Sequence, residues 1–481
     1  MTTPPAAPSP APASRDATHG ARAADGPAHP GRAEFRALGR LALPVVAVEL
    51  GLMAMGAVDT MMVGHLSATA LAATALAAVY FYTVMVIAMG TLVGCESLLS
   101  QAVGAHDEPG FGRALQRGFV LAALLLVPCA LLLVPTAPML RLLGQPEVII
   151  APASRFVHIS IAGLAPLLGF VVLRMALQAR ERLAPILVAI VVANAVNLAL
   201  NWVLVFGHLG APRLGTDGSA LASVAARWTL LAVLLVAAWR DLRPYLRTRA
   251  SGVADPRALG RMLVLGVPVG VQYLLEVGVF NVVALFMGTM ATATLAAHQV
   301  AINLASITFM VPLGIGAATS VLVGQAIGRA DAAGARRAAH AGLALGAAVM
   351  LVSAVAFLTV PRLLAALYVR EPAVIALAAT FIPLAGIFQL FDGLQAVAGG
   401  ALRGAADTRA AMWANILGFW AIGLPLGLAL AFRAGMGPAG LWWGLVIGLA
   451  SVAFVLVLRV RRRFRAPLAR AIVDAPPAIP A

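Results

Sequence analysis

Runs of apolar residues divide the chain into twelve segments, near residues 39–63, 69–101, 113–135, 154–178, 184–207, 217–239, 261–287, 294–325, 338–361, 373–401, 412–433 and 438–460. Each exceeds the ~18 residues that mark a helix able to cross a bilayer. Strands of a membrane barrel would instead show alternating segments of roughly ten residues. The hydrocarbon layer holds no water, so every backbone N–H and C=O there must be paired within the protein, and runs of this length satisfy that as helices. The pattern predicts an all-α polytopic membrane protein with twelve transmembrane helices.

The second half repeats the first. A displacement of 224 positions pairs Gly90–Gly118 with Gly314–Gly342, and ten of the 29 pairs are identical, among them Gln101/Gln325, Gly104/Gly328, Asp107/Asp331, Gly110/Gly334 and Arg113/Arg337. The same displacement aligns Pro44 with Pro268 and Leu71-Ala72-Ala73 with Leu295-Ala296-Ala297. An alphabet rich in Ala, Gly and Leu produces some identity by chance; shared Gln, Asp and Arg are harder to obtain that way. Six spans per copy is an even number, so the copies share one orientation. Two six-helix lobes related by a parallel pseudo-twofold axis are predicted, an architecture in which transporters run the substrate path between repeats. The expected division is a disordered cytoplasmic tail (1–35), an N-lobe of helices 1–6 (36–239), a cytoplasmic linker (240–260), a C-lobe of helices 7–12 (261–460) and a basic cytoplasmic tail (461–481).

Composition agrees: 61% of residues are hydrophobic, 11% are charged, and mean hydropathy is +0.94. A soluble domain carries about 25% charged residues. The net charge of +15 could suggest a nucleic-acid partner, but its placement argues against one. All 34 basic residues are arginine, and they cluster at every second gap between apolar runs, as at Arg15–Arg40, Arg240–Arg261 and Arg459–Arg470. Basic loops stay cytoplasmic and attract anionic lipid headgroups. The expectation is a multi-pass protein of a bacterial inner (plasma) membrane with both termini in the cytoplasm. Cys95 and Cys129 both fall in apolar runs, which excludes a disulfide framework or a cysteine metal site. Residues 1–35 lack the apolar stretch of a signal peptide.

Charge at bilayer depth is costly and marks functional candidates. The candidates at bilayer depth are Glu49, Asp59, Glu96, Arg227, Glu276 and Asp392. Glu276 and Asp392 fall near the middle of their helices in the second half. Desolvation disfavours their charged form, so they can exchange a proton, or together hold a hard cation such as Na⁺; alternatively each hydrogen-bonds a neighbouring helix. Asp59 lies at the same depth as Asn197 and Asn201, whose i, i+4 spacing puts both amides on one helix face. That set is either a pocket for a proton or cationic substrate, or an inter-helix clamp of the kind common in membranes. Pro44 bends helix 1. Arg227 is read as a counter-ion within the first half and as the clear base of the membrane interior.

Gly435-x-Gly437-x-x-Gly440 has dinucleotide spacing but no preceding strand, and reads as a turn. His298 reads as a core residue. No nucleophile–base or metal constellation of an enzyme is visible, and no cofactor or metal is expected.

Taken together, Pro44 in LALP, Val58–Gly64 (VDTMMVG), Ser100–Ala105 (SQAVGA), Asn197–Trp202 (NLALNW), Leu274–Phe280 (LLEVGVF), Ala296–Asn303 (AAHQVAIN), Val311–Gly328 and Asp392–Gly404 (DGLQAVAGGALRG) resemble the multidrug and toxic compound extrusion (MATE) family, in its NorM-like bacterial branch. The resemblance covers residues 36–460. It implies a two-lobed antiporter that exports organic cations and drugs in exchange for H⁺ or Na⁺. It also implies that Glu276 and Asp392 are the cation-coupling acids, that Asp59, Asn197 and Asn201 form the N-lobe proton or substrate site, and that Pro44 is the bending proline. Phe388 stands where some relatives have a tyrosine whose hydroxyl helps hold the cation, which tilts the expectation towards protons. The alternative within the same broad superfamily is a lipid-linked precursor flippase, which would need a large basic cavity. The expected partners are small organic cations and membrane lipids, and a monomer is expected.

Overall fold

The computed structural model describes residues 30–247 and 250–474. Its long helices are α1 (Arg32–Gly64), α2 (Ala68–Gly104), α3 (Glu108–Leu133), α4 (Glu147–Ile161 and Leu164–Ala179), α5 (Ala184–Phe206), α6 (Thr216–Ala237), α7 (Pro256–Met290), α8 (Thr292–Gly328), α9 (Ala332–Thr359), α10 (Pro372–Gly404), α11 (Arg409–Arg433) and α12 (Pro438–Arg463). Among the described residues eleven helices are each long and apolar enough to cross a membrane, and the two pieces of α4, bent by 52°, make a twelfth span. The twelve expected spans are these. Short helices at Thr136–Leu142 and Pro361–Ala366, in corresponding places of the two copies, were too brief to stand out as periodic segments.

The residues shared between the copies have physical reasons. Asp107 Oδ1 accepts a bond from the Gly110 amide at 2.8 Å and Asp331 Oδ1 from the Gly334 amide at 2.7 Å, capping α3 and α9. A Cβ on either glycine would fall 2.2 or 2.0 Å from that carboxylate, so the cap needs glycine there. Gln101 and Gln325 reach across the molecule. Gln101 Nε2 donates to the Gly404 carbonyl of α10 at 2.9 Å, and Gln325 Nε2 to the Ala179 carbonyl of α4 at 3.0 Å. Each copy thus closes the end of a helix in the other. Arg337 pairs with Glu34 at 2.7 Å and Arg113 with Asp474 at 3.1 Å, again across the two halves.

All these contacts lie at the end of the bundle that carries both ends of the described chain. The tail after α12 crosses to the first half, where Arg470 bonds Asp107 at 2.6 Å and Asp474 bonds Arg117 at 2.6 Å. Burial works against both carboxylates, but Arg470 beside Asp107 and Arg117 beside Asp474 outweigh it and hold them below the ordinary aspartate value. The part of the basic tail up to Asp474 is therefore a docked strap. Two expected boundaries move. Helix α1 begins at Arg32, inside the segment expected to be a disordered tail; residues 1–29 and 475–481 lie outside those described. The linker is helical over Trp239–Arg247, because Leu242 and Tyr245 lie on one face and pack beside α3. Gly435 and Gly437 sit at positive φ in the connection before α12, the turn expected of them.

Near the same end the halves approach along α2 and α7. A Cβ on Gly90 would lie 2.6 Å from Gly270 Cα, and one on Gly266 would lie 2.1 Å from the Thr91 carbonyl. Small residues let membrane helices come this close. Helices α11 and α12 use the same device, Gly427 facing Gly444, while parts of α11 widen into π-helical turns. Gly266→Ala is expected to destabilise the purified protein by about 1–3 kcal/mol through overpacking. Gly260→Ala on the same helix meets nothing within 4 Å and should be neutral or slightly stabilising. Thermal midpoints of the two variants in detergent compare them directly.

Candidate functional site

Between the halves lies a chamber of about 320 Å³ whose walls come from Val86 of α2 and from α7, α8 and α10. Phe280, Phe309, Val277 and Leu313 make it largely apolar, while Glu276, Gln395 and Arg403 supply polar groups on one side. The volume falls within the range of small-molecule sites. Gln395 Nε2 donates to Glu276 Oε2 at 3.2 Å. Asp392 is not part of the wall. It is 6% exposed, lies almost one turn before Gln395 on α10, and is close enough to Glu276 for the two charges to act on one another. It accepts no hydrogen bond from the described residues. The structure therefore brings the two expected acids near one another, Glu276 lining the chamber and Asp392 outside its lining, one turn along α10 from the wall residues Gln395 and Ala396. Phe388 is buried against Phe280 and Trp442, with ring centroids 5.8 and 6.5 Å away. His298 is buried against Trp442, in the core as expected.

A second cavity, of about 400 Å³, shares Val86 and Val277 with the first and continues between α2 and α7 past Tyr82 and Asn281. The halves are thus packed at the end bearing the chain ends and parted beyond the level of Glu276.

In the first half, Asp59 of α1 is met by donors from two helices. Asn197 Nδ2 and Asn201 Nδ2 of α5 reach Oδ1 at 3.0 and 2.8 Å, and the Ser223 hydroxyl of α6 donates to Oδ2. Both asparagines are fully buried, and their Oδ1 atoms have no partner among the described residues. Ser223 escaped the sequence reading because a serine in an apolar run carries no periodic signal. Arg227 forms no ion pair with Asp59 in the structure. Its guanidinium lies 4.5 Å from the centre of the Phe81 ring, packed against Gly163 at the bend of α4.

Arg227 is not the only base inside the bundle. Arg174 of α4 pairs with Glu49 at 2.9 Å, and Arg403 of α10 pairs with Glu96 at 3.3 Å. Both arginines were missed. Arg403 falls just past the apolar run 373–401, where its charge reads as part of a loop, and Arg174 is a single arginine in the run 154–178 with no charged neighbour in sequence to mark it. The pairs also account for Glu49 and Glu96. Pro44 lies inside an unbroken α1, as Pro268 does in α7, leaving the Arg40 carbonyl without its helical donor.

Comparison with known proteins agrees with this architecture. The MatE family profile matches residues 44–203 and 268–429, two stretches whose starts are separated by the same 224 positions as Glu96 and Ser320. The chain is 38% identical over 440 residues to the probable multidrug resistance protein NorM of Rhizobium meliloti (strain 1021), covering 90% of this chain and 94% of that one. It is 36% identical over 426 residues to the multidrug resistance protein NorM of Burkholderia vietnamiensis, covering 87% and 92%. In fold it is similar to the eukaryotic MATE transporter AtDTX14, with a TM-score of 0.82 at 24% identity over 90% of this chain and 98% of that one. It is also similar to the Vibrio cholerae MATE transporter VcmN in its bent form, with a TM-score of 0.78 at 19% identity over 90% and 97%. A repeated six-helix unit, matched by one profile in each copy and by relatives along nearly their whole length, makes this chain a NorM-like member of the MatE family.

Proposed function

We propose that this protein is a multidrug efflux transporter of a bacterial inner membrane, exporting organic cations and drugs in exchange for H⁺ or Na⁺ by alternating access. The two bodies are residues 36–239 and 261–460, joined by 240–260, with both termini in the cytoplasm. The observation that carries the reading is the pair of neighbouring acids, Glu276 and Asp392, at an apolar chamber between halves that meet at one end only. The multidrug resistance names of the relatives support it.

In this reading the structure stands open away from the cytoplasm. An entering ion removes one negative charge from the Glu276/Asp392 pair, and bound drug is held less strongly and leaves. An ion drives the cycle only as far as its affinity differs between the two states. Phe388 brings no oxygen to the pair, so a proton is the favoured ion. Asp59 takes a second part. As a carboxylate it gathers α1, α5 and α6 through three donors; once protonated it accepts fewer bonds and loosens α1, where Pro44 supplies the give. The flippase alternative loses ground, because Arg174 and Arg403 are each neutralised by a glutamate and Arg227 is spent on Phe81.

Three outcomes are expected. In everted vesicles, accumulation of a cationic fluorescent dye should be driven by an imposed pH gradient, and Na⁺-gradient uptake equal to it would remove the proton preference. The Glu276→Gln/Asp392→Asn double variant, expressed at normal level, should lose gradient-driven uptake; full uptake in it would remove these acids from the mechanism. Asp59→Asn should reduce uptake by roughly 5- to 150-fold, the usual range of coupling between two ligands, with little change in dye binding to the purified protein.

A further inference from the structure

The glutamine contacts across the seam between the halves come as a symmetric pair, one from each copy. The contact made by Glu96 does not. Glu96 and Ser320 occupy the same place in the two copies, 224 positions apart, and touch each other: Ser320 Oγ donates to Glu96 Oε2 at 3.0 Å. Arg403 Nε donates to the same oxygen at 3.3 Å. The place corresponding to Arg403 in the first copy is the neutral Gln178, because the two glutamine contacts equate Gly404 with Ala179, so the charge on the axis belongs to one pair only. Glu96 is 2% exposed and Arg403 is 9% exposed. Glu96 comes from α2 of the first half, while Arg403 and Ser320 come from α10 and α8 of the second. The Arg403 side chain also borders the chamber that holds Glu276.

We propose that Glu96 and Arg403 form a buried latch between the lobes that sets the balance between the two facing states, and that Arg403 is the positioning residue joining the chamber to this latch. The proposal rests on the alternating-access reading above. Its physics is that of an ion pair whose burial is tolerable only while both partners are present. Removing one charge leaves the other stranded in a dry seam, and the cheapest relief is to part the lobes and let water in. Removing both leaves nothing stranded. The symmetric glutamine contacts hold the seam without this property, because a neutral amide left without its partner costs less to bury than a charge. The axial pair is therefore the contact through which a change of charge in the chamber can be felt at the closure.

The protein carries its own reporter. Cys95, next to Glu96, is buried, and its sulfur lies 3.5 Å from the Met262 carbonyl of α7 across the seam. With Cys129→Ser as the parent, the rate of Cys95 alkylation by N-ethylmaleimide in the purified protein reads how often the seam opens. Glu96→Gln and Arg403→Met are each expected to raise the rate about tenfold or more, and the double variant to return to within about threefold of the parent, since the two sites are coupled. Ser320→Ala, the mildest change, removes one donor to Glu96 and should raise the rate by roughly 3- to 10-fold. Parent-like rates in the single charge variants, multiplied effects in the double variant, or an unchanged rate in Ser320→Ala would each overturn the latch. If the charge variants fail to fold, Ser320→Ala decides. The readout needs no drug movement, so failure of the transport reading in vesicles and failure of the latch are separate results.

Discussion

The structure depends on a condition that the bilayer imposes on charge: a buried ionic group persists only with a partner, because its solvation must be replaced in a medium that offers little. Three of the four charges that sit deepest in the seam and beside the chamber are resolved in this way or by hydrogen bonding, Glu96 on Arg403, Arg403 on Glu96, and Glu276 on Gln395. Asp392 is the exception, with a like charge nearby and no donor among the described residues. In the proposed cycle this is a group that takes up a proton or a cation.

Closure at one end follows from the same condition. Where the lobes touch, side-chain amides and ion pairs join them, Gln101 and Gln325 each reaching a helix-end carbonyl of the other half, and glycines on α2 and α7 let the helices approach closely. Beyond Glu276 the seam offers Val86, Val277 and Tyr82 with space between them. Apolar walls facing a gap gain little by closing on it when lipid and ligand are available instead. The half of the molecule that is packed and the half that is open differ in kind, polar and reciprocal against apolar and loose.

The first half resolves its buried acid differently. Asp59 is dressed by Asn197, Asn201 and Ser223 and does not touch Arg227, whose charge rests on an aromatic face. In the proposed cycle this clamp is also a proton site. Donors that suit a carboxylate suit it less once it is protonated, so the same bonds that fasten α1 to α5 and α6 would register the arrival of a proton.

The number of spans, the doubled architecture and the presence of acids inside the membrane helices of both lobes were legible in the residues themselves. Apolar runs of bilayer length leave helix as the solution, and repetition of Gln101, Asp107, Gly110 and Arg113 at a constant displacement can arise only from a copied unit. Partnership was not legible. That Arg403 belongs to the interior and not to a loop depends on where α10 ends, and that it meets Glu96, some three hundred residues away in sequence, depends on how α2 crosses the other lobe. Depth along a helix is a local property, fixed by hydrophobic length. Which charge neutralises which, and which acid lines the chamber while its neighbour does not, is decided by the packing of helices distant in the chain, and only the tertiary structure contains it.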